Sequence, residues 1–276
     1  MWTLSGEALS GAILPIATPG WQLQDTGDFN ADGISGDLLF RSTSGQVAIW
    51  EMNGLQLQAS GVVATVPLDW KIEGTADFTG NGQSGILWEN TNSGQIAIWE
   101  MNGLQIQSAA VIATLPLDWH IVGTGDFNGD GKSDILWRNS DTGQVAIWEM
   151  NGEQIQSAAV VASIPLDWHI AGTGDFNGDG KSDILWQNSD TGQVAIWEMN
   201  GLQLQSAAVI ATLPSDWKVA GTADVNGDGM SDILWQNSDT GQTAVWEMNG
   251  FTIANAFYMA QVDNSWSVLN HHYDWV

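Results

Sequence analysis

A tryptophan recurs at a constant spacing of 49 residues, at Trp21, Trp70, Trp119, Trp168, Trp217 and Trp266, with similar surroundings each time. A period of this size means that each repeat is one supersecondary unit, which buries its apolar faces only by stacking on its neighbours. The repeats beginning at Trp119 and Trp168 are nearly identical. Both contain G-T-G-D-F-N-G-D-G-K-S-D-I-L-W followed by N-S-D-T-G-Q-V-A-I-W-E-M-N-G.

Within a repeat, four runs rich in β-branched and aromatic residues alternate with Gly, Asn and Asp: W-H-I-V-G-T-G-D-F, D-I-L-W-R-N, Q-V-A-I-W-E-M and Q-I-Q-S-A-A-V-I-A. These read as strands. Asn151-Gly152 and its copies separate the third run from the fourth, and predict a type I′ hairpin with φ > 0 at both residues. No segment of helical length has a 3.6-residue period, which excludes two-helix solenoids. Four-stranded units of this length point to an all-β propeller in a single domain over 1–276. Full blades start at Trp21, Trp70, Trp119, Trp168 and Trp217. The ends resemble parts of a repeat, so six blades are expected, the last a composite of 266–276 and 1–20; five blades are the alternative.

Lys and Arg number 6 against 32 Asp and Glu, a formal net charge of −26. Such a surface repels phosphate backbones and anionic membranes, so neither nucleic acid nor membrane insertion is expected. The composition is 43% hydrophobic with 17 Trp, enough to build a core. Cysteine is absent, which leaves metal ions as the available cross-links. No basic leader with an apolar run opens the chain, and no stretch approaches 18 consecutive apolar residues.

Much of the acid sits in one recurring loop. Between the first two strands of the third repeat, Asp126, Asn128, Asp130 and Asp134 occupy loop positions 1, 3, 5 and 9, with Gly131 at position 6. A hard cation needs this spacing, because alternate residues of a tight turn point inward and a carbonyl near position 7, that of Lys132, adds a ligand. Calcium, with 6 to 8 flexible oxygen ligands, suits it better than magnesium. The pattern recurs as Asp175, Asn177, Asp179, Lys181 and Asp183, and as Asp224, Asn226, Asp228, Met230 and Asp232. In the first repeat Asp28, Asn30 and Asp32 are followed by Asp37 one residue late, which predicts weaker binding. The second repeat offers Asp77, Thr79, Asn81 and Gly85, and no tight site is expected. Three to four calcium sites follow, each adding about 1 to 3 kcal/mol at millimolar calcium. Three Asp in each of four loops account for 12 of the 32 acids.

The segment D-F-N-G-D-G-K-S-D-I-L-W resembles the FG-GAP, or VCBS, repeats of integrin α-subunit propellers, fungal lectins of integrin-like fold and bacterial secreted proteins. The resemblance extends over all five repeats, and the second departs from the motif. It implies a calcium loop between the first two strands of a blade, carried by Asp126, Asn128, Asp130 and Asp134 and their copies. It also implies an extracellular or cell-surface setting and recognition of glycans or proteins.

Strand parity puts the acidic loops and Asn-Gly turns at one end of the blades, and the P-L-D-W connections and N-S-D-T-G turns at the other. The second end gathers Trp119, His120 and Asn139, Trp168, His169 and Asn188, and Trp217 and Asn237. Indole faces stack on sugar C–H surfaces while amides bond hydroxyls, so this end is the expected ligand site. Trp88, Trp137, Trp186 and Trp235 are expected in the core, as are Trp50, Trp99, Trp148, Trp197 and Trp246; Glu51, Glu100, Glu149, Glu198 and Glu247 are expected as solvated charges. No G-x-S-x-G or H-E-x-x-H motif and no phosphate loop is present, so the chain reads as a non-enzyme. The expectation is a calcium-binding, lectin-like module whose partner is a glycan. Alternatives are an adhesion propeller for a cell-surface protein, an accessory or catalytic domain of a polysaccharide-degrading enzyme, or a spacer.

Overall fold

The computed structural model describes residues 2–5, 8–11, 19–34 and 36–262. Five four-stranded antiparallel sheets follow one another at the 49-residue period, each a simple meander in chain order. The third blade comprises Trp119–Gly125, Asp134–Asn139, Gln144–Asn151 and Gln154–Ser163. The others repeat this plan from Trp21, Trp70, Trp168 and Trp217. Among the described residues no helix is long and apolar enough to cross a membrane.

Five blades replace the expected six. Trp2–Ser5 and Ala8–Gly11 pair with each other, Trp2 opposite Gly11, as a two-stranded sheet that, among the described residues, is hydrogen-bonded to no other strand. The C-terminal part of the expected composite blade, 266–276, lies outside the described residues. A second correction concerns the hairpins. Asn151 pairs with Gln154 across the ladder, so the two central residues are Gly152 and Glu153. Only Gly152 has positive φ, 59°. That is a type II′ arrangement, with glycine first, rather than I′.

The core lies between blades rather than within them. Leu87, Ile96, Ile98 and Phe78 of the second blade pack on Ile135, Trp137, Ala146 and Met150 of the third, and each neighbouring pair repeats the contact. Trp88, Trp137, Trp186 and Trp235 are essentially inaccessible, as expected. Each stacks against the third-strand Trp at centroid distances of 4.7–4.8 Å and 47–55°, tilted contacts of the kind aromatic quadrupoles favour. The first blade keeps this geometry with Phe40 on Trp50 at 4.9 Å.

Hydrogen bonds tie the blades at two levels. Near the axis, Thr173 Oγ1 donates to Thr124 O at 2.7 Å, and Thr222 Oγ1 to Thr173 O at 2.6 Å. At the loop end, Ser133 N donates to Asp77 O at 2.7 Å and Gly152 N to Phe78 O at 2.6 Å. Both bonds recur at each interface from the first blade to the fifth.

Candidate functional site

The acidic loops close on themselves through their own side chains. Asp126 Oδ1 accepts from Gly129 N and Asp130 N, and its Oδ2 from Gly131 N at 2.8 Å. Asn128 Oδ1 accepts from Asp130 N, and Asp130 Oδ1 from Lys132 N. The loops of the fourth and fifth blades reproduce these bonds on Asp175, Asn177 and Asp179 and on Asp224, Asn226 and Asp228. At position 7, the Lys132 and Lys181 side chains reach back to Asp130 and Asp179 at 3.3 and 3.5 Å, surface pairs of small energetic weight.

The ninth-position carboxylate has a different place. Asp134 is fully buried, with Oδ2 accepting from Phe127 N at 3.0 Å and Oδ1 from Met150 N at 2.8 Å. It stitches the loop to the third strand. Burial, with the charges of Asp126 and Asp130, pushes the Asp134 carboxyl up to about 7 against the pull of those two N–H donors. Asp183 is held at about 7 by the same causes, and Asp232 is raised in the same direction. Three carboxylates of one loop therefore repel one another across a short distance.

In the first blade, Asp37 arrives late in sequence yet takes the same position. Its Oδ2 accepts from Phe29 N and its Oδ1 from Met52 N. Just before it, Gly36 N donates to Ile34 O at 2.7 Å, and Ile34 is left exposed. The second-blade loop has Gly85 in place of this carboxylate, but Asp77 still accepts from Gly80 N and Gly82 N. The first Asp thus closes the loop with or without the ninth-position carboxylate.

The donor chemistry, carboxylate, amide and carbonyl oxygen around a negative pocket, fits a hard cation. Asp126, Asn128, Asp130 and Asp134, with the carbonyl of Lys132, would hold calcium in the third blade, as would the matching residues of the first, fourth and fifth. Bound there, the ion would supply the positive charge that the buried ninth carboxylate lacks. Among the described residues no three acidic or histidine side chains already converge as a preformed cluster. The loop's present closure is by hydrogen bonds.

At the opposite end, Trp119, Trp168 and Trp217 are half-buried at the start of their blades, beside half-buried His120 and His169. Burial, with the charges of Arg138 and Lys218, holds His169 below its ordinary value, so its ring is neutral near pH 7. The asparagines stand opposite these tryptophans across the ladder, Trp119 opposite Asn139, but are buried. Asn139, Asn188 and Asn237 are 2–4% exposed. Asn139 Nδ2 donates to Asp118 Oδ2 at 2.8 Å, and its Oδ1 accepts from Asp141 N and Thr142 N. Asn188 and Asn237 make the same bonds. They fold the N-S-D-T-G turn rather than face solvent, which corrects their expected role as ligand contacts.

Two features escaped sequence reasoning. Arg138 donates to the carbonyls of Ile164 and Pro165 in the link to the next blade and of Trp168 at its start, with its guanidinium 5.3 Å from the Trp186 centroid. Arg41 does the same toward Val66, Pro67 and Trp70, 5.2 Å over Trp88. Second, Glu100 is buried rather than solvated, beside Glu153 and Asp77. Burial, then those two charges, push it up to about 7. Glu153 was a readable signal, since its counterparts are Leu55, Leu104, Leu202 and Phe251.

No curated protein matches the chain. Among solved structures, a chain of a nidogen/laminin complex is similar at TM-score 0.56 and 12% identity, over 87% of this chain and 81% of that one. An auxiliary nutrient binding protein from Bacteroides thetaiotaomicron is similar at TM-score 0.53 and 9% identity, over 86% of this chain and 57% of that one. At these identities both are likenesses of fold. The model of the FG-GAP-like repeat matches residues 77–137, 126–186 and 175–235, each window running from the first Asp of one acidic loop to the buried second-strand Trp of the next blade. These windows together span 77–235, more than half of the chain, and the protein belongs to the FG-GAP-like repeat family.

Proposed function

We propose that this propeller is a calcium-stiffened recognition module that works outside the cell and binds carbohydrate through the tryptophan-bearing end of its blades. The observation that carries the reading is the recurrence, one blade apart, of a half-buried Trp with a polar neighbour: Trp119 with His120, Trp168 with His169, Trp217 with Lys218. Repeated weak sites suit a polymeric glycan, because avidity rises without stronger single contacts. The role is binding rather than catalysis. Calcium belongs to the reading because millimolar extracellular levels match loops of this type.

A glycan array probed with the wild type and a Trp119→Ala/Trp168→Ala variant, with calcium or chelator, tests it. Saturable binding to one glycan class, lost in the variant and weakened by chelator, is expected. An empty array for well-folded wild-type protein in calcium would sink the carbohydrate reading. The protein-binding alternative has one support in the nidogen/laminin likeness, which is a likeness of fold.

A further inference from the structure

Between the fourth and fifth blades lies a cleft of about 170 Å³ lined by Leu213, the rings of Trp217, Trp235, Trp246 and Tyr258, and Phe257. It opens where the internal repetition breaks. The residues matching Phe257 and Tyr258 are Ala and Val in the second, third and fourth blades, and Tyr258 stands 73% exposed with its ring 6.1 Å from Trp217.

The same place in two other interfaces shows what such a ring surface takes. Moved back by one 49-residue period, Leu213, Trp217 and Trp235 become Ile164, Trp168 and Trp186, which surround the guanidinium of Arg138. Moved back by three periods they become Val66, Trp70 and Trp88, which surround that of Arg41. At the fifth blade the residue in the arginine position is Gln187. Its Nε2 donates to Trp217 O at 2.8 Å, while its Oε1 is buried without a hydrogen-bond partner. No guanidinium of the chain is recorded over Trp235, and the cleft has gained Tyr258 as an extra wall. Aromatic faces hold cations most strongly where water is excluded, and a net charge of −26 draws cations to the surface.

We infer that this cleft binds a guanidinium group brought by a ligand, which lies against the accessible Trp217 and Tyr258 rings at the mouth of the cleft, above the buried Trp235. The group is that of a small alkylguanidine or of an arginine side chain in a partner chain. Lining by aromatic and aliphatic side chains favours this over a sugar, whose hydroxyls need convergent polar groups. The cleft shares Trp217 with the carbohydrate reading, but the inference does not require that reading.

The test is titration calorimetry of the full chain with N-acetylarginine amide, its neutral citrulline isostere and an arginine-containing peptide of neutral flanks. Saturable binding of the arginine probe is expected, with at least a tenfold loss for the citrulline form. Tyr258→Val restores the residue of the other blades, and Gln187→Arg supplies an internal guanidinium as Arg138 does; each should weaken the arginine probe at least tenfold. Tighter binding of the peptide than of the amide identifies a partner chain as the source, and equal binding identifies a small molecule. Equal affinity for citrulline, undiminished binding in folded Gln187→Arg, or binding of monosaccharide but not arginine would each overturn the assignment.

Discussion

Loop position four is glycine in four blades, with φ of 73–79° at Gly80, Gly129, Gly178 and Gly227, and alanine in the first, where Ala31 is held at φ 58°. A Cβ in this left-handed region costs about 1 to 2 kcal/mol, partly offset by the smaller backbone entropy alanine loses on folding. Ala31→Gly is therefore expected to stabilise the protein by about 0.5 to 1 kcal/mol in denaturant titration. The reverse change at Gly129 meets more than strain, because its Cβ would stand 3.3 Å from Lys181 Cγ in the next blade. Gly129→Ala should cost at least as much as Ala31→Gly gains, and unchanged midpoints for both variants would refute the account.

At the scale of the strand, the end of each second strand decides how a blade grips the next. Arg41, Arg138 and Gln187 donate to the carbonyl of the first residue of the following blade, Trp70, Trp168 and Trp217. The matching residue of the second blade is Glu89, 7% exposed, whose carboxyl burial raises despite the nearby Lys71. An ionised carboxylate has no hydrogen to give a carbonyl. Glu89→Gln, which copies the amide already accommodated at Gln187, should stabilise by about 1 kcal/mol at pH 8. The gain should shrink as pH is lowered, since the raised carboxyl takes up its proton sooner than an ordinary glutamate and can then donate as the amide does; a variant destabilised at every pH would show that Glu89 has a partner worth keeping. None of this grip was legible in the chain. The period, the four strands and the loop positions were, because they are local patterns that repeat. Which blade a side chain touches depends on the rotation between blades, which no local pattern encodes. Asp37 illustrates the same limit: counting residues places it late, whereas its bonds from Phe29 N and Met52 N put it in the ninth-position site. Asn139 looked like a ligand contact by residue type, and only its bonds to Asp118, Asp141 and Thr142 reveal a turn.

Across the whole molecule, the acidic excess converges on interfaces at the loop end, and it makes stability depend on pH. Glu100 is the clearest case, with its ordinary value of 4.5 raised to about 7 by burial and by Glu153 and Asp77. The folded state therefore holds a proton between about 4.5 and 7 that the unfolded chain has released, so stability falls as pH rises through this window and stays low above it. Asp134 and Asp183, raised from 3.8 to about 7, act in the same direction in the absence of a cation. In chelator, the melting temperature is expected to drop by several degrees between pH 5 and pH 8. Glu153→Leu isolates the interface term, since it installs the residue found at Leu55, Leu104 and Leu202 and removes a charge that faces Glu100. Its melting temperature should exceed that of the wild type at pH 8 by more than it does at pH 5. A variant whose advantage is the same at both values would mean that Glu153 acts through packing alone, and that the charge at this interface is neutralised by something other than a retained proton.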